Sequence, residues 1–139
     1  MTKQDKELLL KDLCGRLPYG VRVLSNESHI IATLLRGGKY DDGETYFIVT
    51  HIGCALKIDE FKPYLRPMSS MTEEELQEYD TICTKLLNQY KDYPKNSLWV
   101  MTYTDSEMFD FFNANHFDYH RLIEKGLALE APEGMYKIE

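Results

Sequence analysis

The chain has 139 residues, 43% hydrophobic and 12% aromatic, enough for a buried core and too apolar for an intrinsically disordered chain. Its net charge of −7 is uneven: residues 1–67 balance at +1 and residues 68–139 at −8, which disfavours phosphate-backbone binding by the second half only. No apolar run approaches the roughly 20 residues of a membrane span, and the first residues lack a signal-peptide pattern. Three separated cysteines (Cys14, Cys54, Cys83) without a CxxC pair are expected to be reduced thiols, so the expected location is cytoplasmic.

Lys3–Leu17 reads as an amphipathic helix. Leu9, Leu10, Leu13, Cys14 and Leu17 form its apolar stripe, and Lys6, Lys11, Asp12 and Arg16 its polar side. Pro18 stops it. Alternation over Tyr19–Ser25 and β-branched residues over His29–Leu35 predict a hairpin around Asn26-Glu27-Ser28. Arg36–Gly43 reads as a glycine-bearing loop, Glu44–Ile52 as a third strand and Ala55–Ile58 as a short fourth.

Lys62–Glu75 (KPYLRPMSSMTEEE) is the hinge between a strand-rich half and an acidic, helix-rich half. Pro63 and Pro67 force an extended path on which Tyr64 and Leu65 can anchor. Thr72 and Glu75 then stand at the spacing of a reciprocal capping box, with Met71 and Leu76 at the positions of a hydrophobic staple. The helix should run over Glu73–Tyr90, with Leu76, Tyr79, Cys83, Leu86 and Tyr90 as its stripe. Tyr93-Pro94 ends it, and Leu98–Tyr103 (LWVMTY) reads as a late strand. Thr104 and Glu107 repeat the capping-box spacing ahead of a helix of about ten residues. Asp118 is placed to cap a short last helix, Tyr119–Lys125, closed by Gly126 in a left-handed cap with Leu127 against Leu122. Order is expected as far as Leu129. The pattern as a whole predicts an α+β fold in one domain over residues 1–139: an N-terminal helix, a small antiparallel sheet or SH3-like barrel, then helices that return one strand.

The strings LLLKDLCGRLPYGV, KPYLRPMSSMTEEE and FDYHRLIEKGLALEAPEGMY resemble a family of small uncharacterised proteins carried by gut Bacteroidetes in prophages and related mobile elements. The resemblance covers both ends and the hinge, and leaves residues 26–58 and 84–104 individual to this chain. It implies no activity and no catalytic residue. After Asp118-Tyr119 the family wording is Arg-Gly, whereas this chain has His120-Arg121, so the resemblance lends nothing to a site on His120.

Four groups of residues carry chemistry worth following. His116 and His120 stand four apart, which on a helix would put two imidazoles on one face for a metal; the plain alternative is two polar residues on different elements. Cys54, after His51 and Gly53, is the one cysteine in a turn-like setting, where a thiol can serve as nucleophile. Arg22, Arg36, Lys39 and Lys57, with Tyr19, Tyr40 and Tyr46 nearby, form a candidate face for single-stranded nucleic acid. Met108, Phe109, Phe111 and Phe112 cover too wide an arc for one buried stripe, so Met108, Phe109 and Phe112 are the candidate contacts for a partner protein. No catalytic constellation or cofactor-binding pattern is legible. The expected function is that of a non-enzymatic accessory protein that binds another protein, with a nucleic-acid-binding barrel and a metal or cysteine enzyme as the alternatives.

Overall fold

The computed structural model describes residues 1–52, 55–90 and 98–136. Helix α1 (Lys3–Arg16) starts at Thr2, whose hydroxyl accepts from Asp5 N–H at 3.0 Å while the Asp5 carboxylate accepts from Thr2 N–H at 3.1 Å. Pro18 ends it in a tight turn over Leu17–Tyr19, and Gly20 reverses the chain at φ +69°. Six strands follow: β1 (Arg22–Ser25), β2 (Ile31–Lys39), β3 (Thr45–Val49), β4 (Leu56–Lys57), β5 (Phe61–Leu65) and, near the end, β6 (Leu129–Glu130). Their order is β4-β3-β2-β1-β5-β6, antiparallel except for the parallel β5–β6 pair. The register breaks between Leu34 and Arg36, a bulge that leaves Leu35 exposed. Beyond it Gly37 lies across the Phe47 ring, where a Cβ would come within 2.7 Å of the ring.

One face of the sheet is dry. Val21, Val23, Ala32, Leu34, Phe47, Val49, Phe61 and Leu65 point there and meet Leu9 and Leu13 of α1 and Leu122, Leu127 and Ala128 of the closing segment. Each such aliphatic side chain contributes about 1.5–3 kcal/mol by leaving water. The second layer is helical. In α2 (Glu73–Tyr90) the Thr72 hydroxyl accepts from Glu75 N–H at 3.2 Å, and a Glu75 carboxylate oxygen accepts from Thr72 N–H at 3.0 Å, the capping box expected there. α3 (Leu98–Ala114) crosses it, and Phe111, Phe112 and Phe117 form a second core with Met68, Met71, Tyr79 and Ile82 around them. The fold is α+β. No helix among the described residues is long and apolar enough to cross a membrane.

Several expectations need correcting. Leu98–Tyr103 is the start of α3 and not a strand, so no helix begins at Thr104. A short apolar run has the same composition whether a strand or a buried helix uses it. The strand that joins the sheet late is β6, and it pairs with β5 inside the proline hinge: Tyr64 with Leu129, Leu65 with Glu130. The sheet order is open, with β4 and β6 at its edges, so the barrel alternative is not formed among the described residues. β2 runs to Lys39, through half of the expected loop, because Arg36–Lys39 pair with Thr45–Ile48. Tyr119–Lys125 forms turns and not a helix, so Asp118 is not an N-cap and reaches further along the chain, while the Gly126 closure is as expected. The Asp118 carboxylate accepts from Leu122 and Ile123 N–H at 2.8 and 3.0 Å. Gly126, at φ +75°, donates to Ile123 O at 3.1 Å and Leu127 to Leu122 O at 2.9 Å. Order also extends past Leu129: Ala131 donates to Leu65 O at 2.8 Å, and Tyr136 is bound on both sides of its hydroxyl. Cys54 and the Tyr93–Ser97 turn lie outside the described residues.

Candidate binding site

The end of α3 places the side chains of interest. His116 occupies the left-handed position after the helix, at φ +63°, with its N–H on Asn113 O at 3.2 Å and Phe117 N–H on Phe112 O at 2.9 Å. That is a Schellman closure with histidine where glycine is the unstrained choice. The chain then runs beside β5. Arg66 N–H donates to His116 O at 2.8 Å and Asp118 N–H to Arg66 O at 2.8 Å, an isolated parallel bridge just past the end of β5. This path sends His116 and His120 to different surroundings.

His120 faces α1. Its Nδ1 lies 2.7 Å from Asp12 Oδ1, and Arg16 holds the same carboxylate through Nε at 2.6 Å and Nη2 at 3.0 Å. Arg16 Nη2 also donates to Phe117 O at 2.6 Å, and its guanidinium lies 5.1 Å from the Tyr119 ring centre, whose hydroxyl donates to Asn113 Oδ1 at 2.8 Å. Asp12 and Arg16 are fully buried, which overturns their assignment to the polar side of the helix. At 100° per residue both share the face of Leu9 and Leu13, while Cys14 falls on the exposed side. Burial by itself raises the Asp12 pKa, but hydrogen bonds from His120 and Arg16 outweigh it and hold the carboxyl below its ordinary range. An ionised carboxylate only accepts, so His120 donates from Nδ1. Only Arg16 Nη1 in this cluster is buried without a partner. The cluster ties α1 to the segment after α3 and so joins the two layers.

His116 goes the other way. Its ring stacks on Tyr136 with centres 3.6 Å apart and planes 13° apart, and the residue is 8% exposed. The Tyr136 hydroxyl accepts from Arg22 N–H at 2.8 Å and donates to Tyr64 O at 2.7 Å, which fixes the tail on the outer face of β1 and β5. Burial, followed by the charges of Arg16 and Arg66, pushes the His116 imidazole down to about 4, and burial pushes the Tyr136 hydroxyl up to about 12. Around this stack lies a half-open hollow of about 470 Å³, lined among others by Tyr19, Arg22, Arg66, His116, Met135 and Tyr136. Arg66 and Tyr136 also line a second hollow of about 730 Å³, whose lining includes Glu74, Glu75, Glu130 and Glu133. Arg66 is bidentate to Glu75, at 2.7 Å through both Nη1 and Nη2, which holds the Glu75 carboxyl down at about 2.

The residues named from sequence do not converge. His116 and His120 are not on one helical face, and no group of three or more metal-ligating side chains occurs among the described residues. Phe112 is buried and Met108 packs against the same aromatic core, so of the three partner candidates only Phe109 is presented, 41% exposed and stacked on Tyr119 with centres 5.1 Å apart. Arg36 and Lys57 share the outer face of the sheet, with the Lys57 ammonium 5.9 Å above the Tyr46 ring. Lys39 stands at the exposed end of β2, and Arg22 lies under Tyr136. Asp42, hydrogen-bonded to Tyr46 at 2.7 Å, puts a carboxylate into that face. Sequence reasoning missed Asp12, Arg16 and Tyr136; a helical wheel finds the first two, and nothing local marks the third. Comparison with known proteins finds no matching family model, no similar curated protein and no similar solved structure.

Proposed function

We propose that this chain is a non-enzymatic accessory protein of a phage or mobile element and works by binding another protein. The observation that carries the reading is the helical layer, where Phe109 on α3 and Leu76 on α2, the latter 48% exposed, stand out among carboxylates. Glu73, Glu74, Glu78 and Asp110 are exposed on the same two helices. Large apolar side chains left in water on packed helices suit a partner with an apolar centre, and the acidic surroundings suit a basic rim on that partner. The resemblance of its hinge and terminal strings to mobile-element proteins is in line with the same reading. The test is tagged capture from a Bacteroidetes lysate after nuclease treatment, with wild type beside the double variant Phe109→Lys with Leu76→Lys. A stoichiometric partner that survives nuclease and is lost with the variant is expected; unchanged capture by the folded variant overturns the reading.

The outer face of the sheet favours a second reading, because Lys57 over Tyr46 with Arg36 alongside combines charge and a stacking surface. Single-stranded nucleic acid would then bind with steep salt dependence, weakened by Arg36→Glu with Lys39→Glu. Salt-independent or absent binding removes that reading.

A further inference from the structure

We propose that the hollow between Tyr19 and Tyr136 is a binding site for a carboxylate, held by the Arg22 guanidinium and the His116 ring. The inference concerns a different face from the helical surface proposed above and does not depend on it. Among the described residues neither Arg22 Nε nor His116 Nδ1 finds a hydrogen-bond partner, although both atoms are buried and both residues line the same hollow. A polar atom withheld from water and left unpaired costs free energy that a ligand atom would recover. His116 is more than nine-tenths buried, so its orphan nitrogen is not a surface atom awaiting bulk solvent.

The charge balance selects the kind of anion. Three guanidiniums act on the His116–Tyr136 stack, Arg16 and Arg66 on the imidazole and Arg16 and Arg22 on the tyrosine, but Arg16 is neutralised by Asp12 and Arg66 by Glu75. Among the described residues Arg22 has no carboxylate partner and no acidic side chain lines this hollow. His116 stays neutral at ordinary pH. One uncompensated positive charge matches one negative charge, so a monoanionic carboxylate fits better than a phosphate dianion, and a guanidinium fork matches its two oxygens. The site is also preformed. Tyr136 is pinned by Arg22 N–H and Tyr64 O and stacked on His116, so the floor of the hollow exists before a ligand arrives. The hollow is larger than one carboxylate needs, and Tyr19 and Met135 add apolar surface to its lining, which suits an anion with an aromatic or aliphatic body. Such a carboxylate can come from a free small acid or from the C-terminus of a peptide.

The test is a titration of the full-length chain with sodium benzoate, followed by NMR at the Arg22 side chain and the His116 ring. Saturable shifts at both are expected, with inorganic phosphate binding more weakly. Arg22→Gln should lower the affinity about tenfold or more, the loss of one charge-assisted bidentate contact. Arg36→Gln, on the exposed sheet face, should leave it unchanged. His116→Asn keeps a residue tolerant of the left-handed backbone while removing the ring, and should also weaken binding. A tripeptide ending in phenylalanine separates the two sources. Tighter binding than benzoate that is abolished by C-terminal amidation assigns a peptide end, and affinity no better than benzoate assigns a free acid. The absence of saturable shifts, phosphate binding more tightly than benzoate, or an Arg22→Gln titration identical to wild type overturns the proposal.

Discussion

Arg16 and His120 close on the buried Asp12 carboxylate, whereas Arg22 and His116 line a hollow to whose walls the described residues bring no carboxylate. The two sites use the same pair of residue types, and both depend on the segment that leaves α3. In the first, the acid, the arginine, the Phe117 carbonyl and the Tyr119 ring pair with one another and leave only Arg16 Nη1 unpaired, and the result is a joint between α1 and the helical layer. In the second, two nitrogens stay unpaired beneath a tyrosine held from three sides. A satisfied buried network specifies structure, and an unsatisfied one beside a cavity has capacity left for a ligand.

The contrast breaks most sharply at Asp12. Asp12→Ala leaves Arg16 charged and dry, so unfolding in urea should show a loss of about 3–5 kcal/mol. Replacing both members, Asp12→Leu with Arg16→Met, should recover most of that loss, because paired apolar residues often match a buried ion pair. Phe117→Ala, which empties the ring beside Arg66 and opens the second core, should cost a similar 3–5 kcal/mol.

Acid sharpens the comparison at His116. Its folded pKa lies below the unfolded value of 6.5, so the unfolded chain binds the extra proton. Stability is therefore untouched above about pH 6.5 and falls by up to about 1.4 kcal/mol per pH unit between 6.5 and 4. His116→Asn should flatten the stability profile in that window. Glu75 acts in a separate, lower window. Its pKa is depressed from 4.5 to about 2, so its contribution is present above 4.5 and is lost as pH falls from there toward 2. The pair is partly solvated, and about 1–2 kcal/mol is a fair magnitude after screening. Thr72→Ala, which removes one half of the α2 capping box, should have the smallest effect, about 1 kcal/mol, read by thermal unfolding.

The sequence makes some of this legible through local chemistry. The capping box at Thr72 and the Gly126 closure were readable because the atoms that satisfy one another lie within a few residues. The buried cluster was legible only in part. Asp12 and Arg16 sort with polar residues by composition, and their angular position among Leu9 and Leu13 is the signal that contradicts it. Their partners, Phe117 and His120, lie more than a hundred residues away, a pairing that no local pattern encodes. The groove was hidden for the same reason. Tyr136 reaches Arg22 and Tyr64 across the whole chain, from a tail whose composition reads as loose. LWVMTY failed differently, since its residues suit a strand in isolation and a helix once continuous with Thr104–Ala114.

Urea unfolding of Arg16→Met and Arg22→Met, measured side by side at neutral pH, tests the division between the closed site and the open one most directly. Arg16→Met should lose about 3–5 kcal/mol, because Asp12 is then buried with His120 as its only partner, while Arg22→Met should stay within about 1 kcal/mol of wild type or exceed it. Equal losses at the two positions would contradict it, since Arg22 would then be holding the fold and would not be free for a ligand.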